Sequence, residues 1–196
     1  MPFKSEYLTD VLSVTHATYT NQVSAANRIR KIHGTARTGP ISTNDGNQLW
    51  GSFFAPLLAQ IAALPATQTD YDNFAKGQML NLTTRLQQMQ KGDFGHAQKM
   101  FNLYLKDCWA LNSVPLPLET FFHLPLDRTL LSKIENIPLP WTRSWTKVVV
   151  NPNTQQQVVD AYLKIQDLFR AYWQQPHIRR CFASPIEMDQ FIWHRI

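Results

Sequence analysis

Two glycines and a lysine lie close together in the segment 91–109, "KGDFGHAQKMFNLYLKDCW". Gly92 and Gly95 predict a tight turn, and the apolar residues that follow have the spacing of a helix over 96–110. Glycines let a ligand approach the backbone, and the N–H groups at the start of a helix can bind phosphate. Lys99 lies near this electropositive helix end, which disfavours a second positive charge. We therefore expect a lowered pKa for Lys99, as a nucleophilic amine requires.

A carboxylate follows in the proline-bounded segment "LPLDR". Asp127 comes two residues after Pro125 and is predicted to cap a helix that begins "RTLLSKI". A cap position favours the ionised carboxylate. A fixed carboxylate can stabilise the positive charge that develops on a sugar when its glycosidic bond breaks. Asp127 and Lys99 are thus the predicted catalytic residues. Lys106 is the alternative candidate for the role of catalytic lysine that is assigned to Lys99.

The order of these features resembles the helix-hairpin-helix DNA glycosylase superfamily, especially bacterial proteins with the 8-oxoguanine DNA glycosylase fold. A helix over 70–90, the Gly-x-x-Gly turn, the lysine-bearing helix and the P-x-D loop carry the resemblance, which is best over 75–135. It implies an all-α, helix-hairpin-helix glycosylase fold with at most one short strand. The length of the chain predicts that residues 1–196 form a single helical domain, with two lobes as an option.

The function implied by this resemblance is a DNA glycosylase, which flips a modified base out of DNA and cleaves its N-glycosidic bond. The substrate would be oxidised guanine or a bulky phage base such as glucosylated hydroxymethylcytosine, the latter in anti-phage defence. If water attacks the sugar, an abasic site remains. If Lys99 attacks, strand cleavage follows, and the sequence leaves both routes open.

The resemblance also implies a set of contacts to double-stranded DNA. No cofactor is expected, and no metal site is expected because neither the cysteines nor the histidines have the paired spacing of metal ligands. The residues expected to bind DNA lie in the turn, on the following helix and in the later loops: Gly92, Phe94, Gly95, His96, Gln98, Arg128, Arg143 and Lys147. The residues expected to line a base pocket are aromatic or can bond a base edge: Phe121, Phe122, His123, Trp141 and Trp145.

Composition is compatible with an anionic partner, because the chain of 196 residues carries a net charge of +5. A hydrophobic fraction of 44% is enough for a folded core. The N-terminus lacks the pattern of a signal peptide, and no apolar run approaches the ~20 residues of a membrane span. Cys108 falls on an apolar helix face, which predicts a buried free thiol. We expect a soluble, cytoplasmic monomer.

Helix patterns dominate the rest of the chain. Further helices are predicted over 5–30 (one or two), 48–64, 152–174 and 185–195, and "TKVVVN" is the one short strand candidate.

Two other interpretations stay open. One is a non-catalytic helix-hairpin-helix module that binds DNA, and the other is a helical interaction protein with no role in nucleic-acid binding. In both, Lys99 is an ordinary helix lysine and Asp127 is only a cap.

Overall fold

The computed structural model describes residues 2–10, 22–33, 39–64, 67–114, 118–132, 137, 140–141, 145 and 148–195. Ten α-helices lie in these ranges: α1 (Pro2–Asp10), α2 (Gln22–His33), α3 (Thr43–Leu49), α4 (Ala55–Ala62), α5 (Gln68–Gln88), α6 (Phe94–Ala110), α7 (Arg128–Leu131), α8 (Gln155–Trp173), α9 (Pro176–Arg179) and α10 (Pro185–Arg195). A 3-10 turn covers Leu118–Thr120. The described residues contain no β-strand, so the predicted all-α class is confirmed for them.

Helices α3 and α4 form one continuous helical segment, joined by a π-helical turn at Trp50–Phe54. The helix predicted over 48–64 contains this wider turn just before Pro56, and in it the Ala55 N–H bonds the carbonyl of Trp50. Pro56 lacks an N–H and cannot continue a regular ladder, and a π turn is one way to accommodate it.

Side-chain caps set the start of several helices. Thr67 accepts a hydrogen bond from the backbone of Asp70 at the start of α5, and Asp127 accepts one from Leu130 at the start of α7. The predicted cap at Asp127 is therefore confirmed. The Ser184 hydroxyl likewise accepts the N–H of Glu187 at the start of α10. Asn151 caps a turn that precedes α8, so this helix begins three residues later than its sequence pattern suggests.

Helix α6 lies at the centre of the molecule. It packs against α5, α2 and α1, and nearly all of its residues are buried. Buried apolar residues from every helix except α9 form one connected core around it. Cys108 is buried and free, as predicted.

Two neighbouring charged residues of α6 hold other helices through buried ion pairs. Lys106 Nζ lies 2.6 Å from Asp189 Oδ2 on α10. Asp107 is bound by both Arg28 Nε and Nη2 at 2.7 Å, and it accepts the Tyr7 hydroxyl proton at 2.6 Å. These contacts tie α1, α2 and α10 to the central helix.

We predict that Asp107→Leu lowers the free energy of unfolding by about 3–5 kcal/mol, because it leaves Arg28 buried without its carboxylate. Urea denaturation followed by circular dichroism measures this change. The double variant Arg28→Met/Asp107→Leu should recover much of the loss, since no uncompensated charge remains. As a control, Asp167→Ala removes a carboxylate that is 65% exposed and should cost less than about 1 kcal/mol. Equal losses in the two single variants would contradict the buried-pair interpretation.

Candidate functional site at the start of helix α6

The predicted glycine turn exists and leads directly into α6. Gln90 and Gly92 both have positive φ angles, 56° and 150°, and the Lys91 N–H bonds the carbonyl of Leu86 at 2.8 Å. The chain thus reverses at the end of α5, and Asp93 caps α6 by accepting the N–H of Phe94 at 2.8 Å. Gly92 is the glycine whose conformation the turn requires.

The N–H groups at the start of α6 are all bonded inside the protein. Gly95 donates to the carbonyl of Val148 at 3.3 Å, and His96 and Ala97 donate to the carbonyl of Asp93 at 2.9 and 3.0 Å. With the Phe94 N–H on the Asp93 carboxylate, no free donor is left in this first turn. The predicted phosphate-binding geometry needs N–H groups that point outward, and the turn does not offer them.

Lys99 is half-buried, and its ammonium lies 4.7 Å from the ring centroid of Trp145. The edge of the same Trp145 ring meets His96 at a centroid distance of 5.0 Å, and His96 stacks on His33 at 5.5 Å. The structure therefore groups Lys99 with two imidazoles and one indole. Arg143 and Lys147, predicted on the same loop as Trp145, lie outside the described residues.

Lys99 and Asp127 are electrostatically coupled. Burial lowers the pKa of Lys99 below its usual value, and the charge of Asp127 partly opposes this effect. The predicted direction is thus correct, although burial is the main cause. Burial also raises the pKa of Asp127, against the hydrogen bond from Leu130 and the charge of Lys99. This direction is opposite to our expectation, because the cap bond does not outweigh the loss of water around the carboxylate.

Two glutamines hold the extended segment 122–126, which places Asp127. Gln98 bonds both the N–H and the carbonyl of Leu126, at 3.0 and 2.6 Å. Gln166 on α8 does the same to Leu124, at 2.9 Å for both bonds. An extended backbone inside a helical protein needs such partners because it has no neighbouring strand. Gln98, predicted to bind DNA, is completely buried in this role.

His123 belongs to a buried hydrogen-bond chain. Its Nε2 lies 2.8 Å from Asp72 Oδ1 and its Nδ1 lies 3.0 Å from the Tyr162 hydroxyl. Asn102 donates to that hydroxyl at 2.8 Å, so Tyr162 can donate to Nδ1 and His123 to Asp72. Burial lowers the pKa of His123, and hydrogen bonding to Asp72 partly opposes this effect. This series of hydrogen bonds links α5, α6 and α8. It occupies both ring nitrogens of His123, which was predicted to bond the edge of a base.

The other predicted aromatic residues divide between core and surface. Phe94 and Trp141 are fully buried and meet edge to face, while Phe122 is buried and stacks on Tyr71. Phe121 and Trp145 are half-buried, and Arg128 is exposed beside Asp127. Most of the predicted base pocket is therefore part of the hydrophobic core. Lys99 and Trp145 are half-buried, whereas Asp127, at the cap of α7, is buried and only 4% exposed.

Sequence reasoning missed the residues that organise this region. Asp93 accepts three bonds, from Phe94, Val150 and Gln87. His33 lies 63 positions before its stacking partner His96, and no local pattern signals such a contact. The polar residues spaced four apart on α6, at 98, 102 and 106, were the available signal, because they interrupt a buried helix face.

A metal centre has no ligand set here: the described ranges contain no group of three or more His, Cys, Asp or Glu residues that could hold an ion. Within the same part of the chain, no helix combines the length and the apolar character needed to cross a membrane.

Comparison with known proteins gives one partial match. The chain is 34% identical over 97 residues to a flagellar P-ring protein of Buchnera aphidicola subsp. Schizaphis graminum (strain Sg). The match covers 47% of this chain and 25% of the relative, so the chain spans about a quarter of the length of the curated relative. No family model matches, and no solved structure matches.

This match overturns the functional predictions. The relative is a flagellar ring protein, and nothing in the comparisons points to a DNA glycosylase. The predicted glycosylase family, the enzyme class, the base-excision or anti-phage role and the DNA-binding module are therefore wrong. The double-stranded DNA partner, the monomeric state and the cytoplasmic location are wrong on the same finding. The glycine turn and its lysine produced the resemblance, and their observed contacts lie within the protein.

We predict that Asp127→Ala lowers the free energy of unfolding by about 0.5–2 kcal/mol, whereas Asp127→Asn changes it little, because asparagine also caps a helix. Both variants should lower the pKa of Lys99 further, since the neighbouring negative charge is gone. Urea denaturation and an NMR titration of the lysine side chain measure the two effects. Arg128→Ala, at the exposed adjacent position, is the control. An Asn variant as unstable as the Ala variant would show that charge, not capping, dominates.

Proposed function

We propose that this chain is a structural helical protein that functions by packing against further copies of itself in a multi-protein assembly. The observation that carries this proposal is an exposed apolar pair on α8. Leu168 is 45% exposed and Tyr172 is 48% exposed, and the two side chains lie one turn apart on the same face. Large apolar side chains that neighbour each other on a surface are typical of protein interfaces.

The charged side chains of the candidate site support a non-catalytic role. Lys106 is committed to Asp189, and Asp127 to the backbone of α7. Lys99 lies over Trp145, which satisfies its charge in part through the aromatic face. These contacts lie within the protein and stabilise its fold, so the role of α6 is structural.

The partial relative supports an assembly of copies, since its name is that of a ring protein. Rings form from head-to-tail contacts, which need two different surface patches on each copy. A second exposed apolar side chain, Val149, is 56% exposed and lies just before α8. Helix α8 has 19 residues and is therefore about 28 Å long. Along the chain, Val149 therefore precedes the N-terminal end of α8, and Leu168 and Tyr172 lie near its C-terminal end. The protein thus has two different apolar sites, as a head-to-tail contact requires.

We predict that the purified protein associates in a concentration-dependent way and that Leu168→Glu/Tyr172→Glu abolishes this association. Charges placed in an apolar contact remain desolvated and unpaired, which opposes binding. Val149→Glu should do the same from the other end of the helix. Sedimentation velocity measures the distribution of species. Gln174→Glu/Gln175→Glu adds the same two charges at exposed polar positions next to the same end of α8 and is the matched control.

Mixing the two kinds of variant tests the head-to-tail geometry. Each copy of Leu168→Glu/Tyr172→Glu keeps an intact Val149 site, and each copy of Val149→Glu keeps an intact Leu168–Tyr172 site. An equimolar mixture should form dimers and nothing larger, although each variant alone is monomeric. A wild-type protein that stays monomeric at every concentration would overturn the proposal, as would association unchanged by both sets of substitutions.

A further inference from the structure

A second feature of the α6 region has no part in the proposed assembly: the enclosed imidazole of His96. The residue is 7% exposed, and neither ring nitrogen has a hydrogen-bond partner among the described residues. A buried polar group without a partner is costly, and a buried charge without a partner is far more costly. The neutral ring is therefore tolerated here, and the protonated ring is not.

The surroundings of His96 come from three parts of the chain. His33 of α2 stacks on one face, with an interplanar angle of 22°, and the edge of Trp145 packs against it at 72°. A Cβ atom on Gly92 would lie 2.8–2.9 Å from the His96 side chain, so the turn closes directly over the ring. His96 thus fills the space between α2, the glycine turn and the side chain of Trp145.

The charged and titratable groups around the ring oppose its protonation on balance. His33 from α2 and Lys99 from α6 itself disfavour a positive charge, whereas Asp93 at the cap favours it. The Asp93 carboxylate is already bonded to two backbone N–H groups and to Gln87. Burial together with His33 and Lys99 lowers the pKa of His96 to about 4.

We propose that His96, stacked on His33, is an acid-sensitive latch that holds the glycine turn and Trp145 against the start of α6 at neutral pH and releases them in acid. His33 strengthens the closed state because its Nε2 lies 2.5 Å from the carbonyl of Lys91 in the turn. Protonating His96 places an unpaired cation beside a second imidazole. Opening the turn returns that cation to water.

The direction in which pH shifts the equilibrium between the closed and open states follows from the pKa of His96 in each state. In the open state His96 titrates near its usual value of 6.5, and in the closed state near 4. The open state therefore binds more protons between these values, and the closed state loses stability as the pH falls through this window. At pH 5 the opening constant should be roughly 30-fold larger than at pH 7.5.

Amide hydrogen exchange of the turn residues at the two pH values, corrected for intrinsic rates and recorded at low protein concentration, measures this ratio. His96→Phe removes the titrating nitrogens and should reduce the ratio to about 1, and His96→Leu serves if the larger ring does not fit. His177→Phe, at an exposed position on α9, is the matched control and should keep the wild-type ratio.

An NMR titration of the wild-type imidazoles gives a result that does not depend on any variant. A His96 signal that titrates near 4 supports the latch. A signal that titrates near 6.5 while the turn stays protected from exchange would overturn it. A His96→Phe protein with an unchanged 30-fold ratio would do so as well. Concentration-dependent association plays no part in these readouts, so failure of the assembly proposal leaves the latch testable.

Discussion

The buried charged side chains of the central helix need partners inside the protein, because α6 is buried on nearly all sides. An unpaired charge in such a position costs several kcal/mol, so the partners of α6 are not optional contacts. Lys106 and Asp107 are adjacent in sequence and leave the helix in different directions, one toward Asp189 on α10 and the other toward Arg28 on α2. The placement of the surrounding helices follows from satisfying these two charges at once.

The same requirement explains the irregular segment before Asp127. Prolines prevent a helix there, and an extended backbone inside a helical body leaves its N–H and carbonyl groups unsatisfied. Gln98 and Gln166 supply the missing partners at alternate residues, Leu126 and Leu124, as a neighbouring strand would. The segment is therefore fixed from two sides, and Asp127 is held where it caps α7 and influences Lys99. A pair of residues that suggested catalysis is placed by the demands of backbone hydrogen bonding.

Local features could be predicted from the sequence and long-range ones could not. The extents of α5, α6 and α10 and the cap at Asp127 depend on residues within a few positions of each other, so periodicity and capping patterns indicate them. The acceptor of the Gly95 N–H is Val148, far along the chain, and this single bond decides that the turn offers no free donor. The resemblance to glycosylases arose because a glycine turn before a lysine-bearing helix has the same local pattern whether it binds phosphate or packs against His96. Only partners far along the chain, such as Val148, distinguish a turn that binds phosphate from one that packs within the protein.

His96 is the exception to the rule that governs the rest of α6. The helix pairs Gln98, Lys106 and Asp107 with named partners, yet it leaves both nitrogens of His96 without one. A neutral imidazole can be enclosed at a modest cost, while a permanent charge at this position would have required a third buried ion pair on α6. At the start of α6 the folded state thus depends on the His96 imidazole staying uncharged. Ring stacking and packing hold the start of α6 in place, and no hydrogen bond to the His96 ring contributes. The stability of this end therefore depends on the protonation of His96, and so on pH, whereas the part of the helix that contains the ion pairs of Lys106 and Asp107 does not depend on that group.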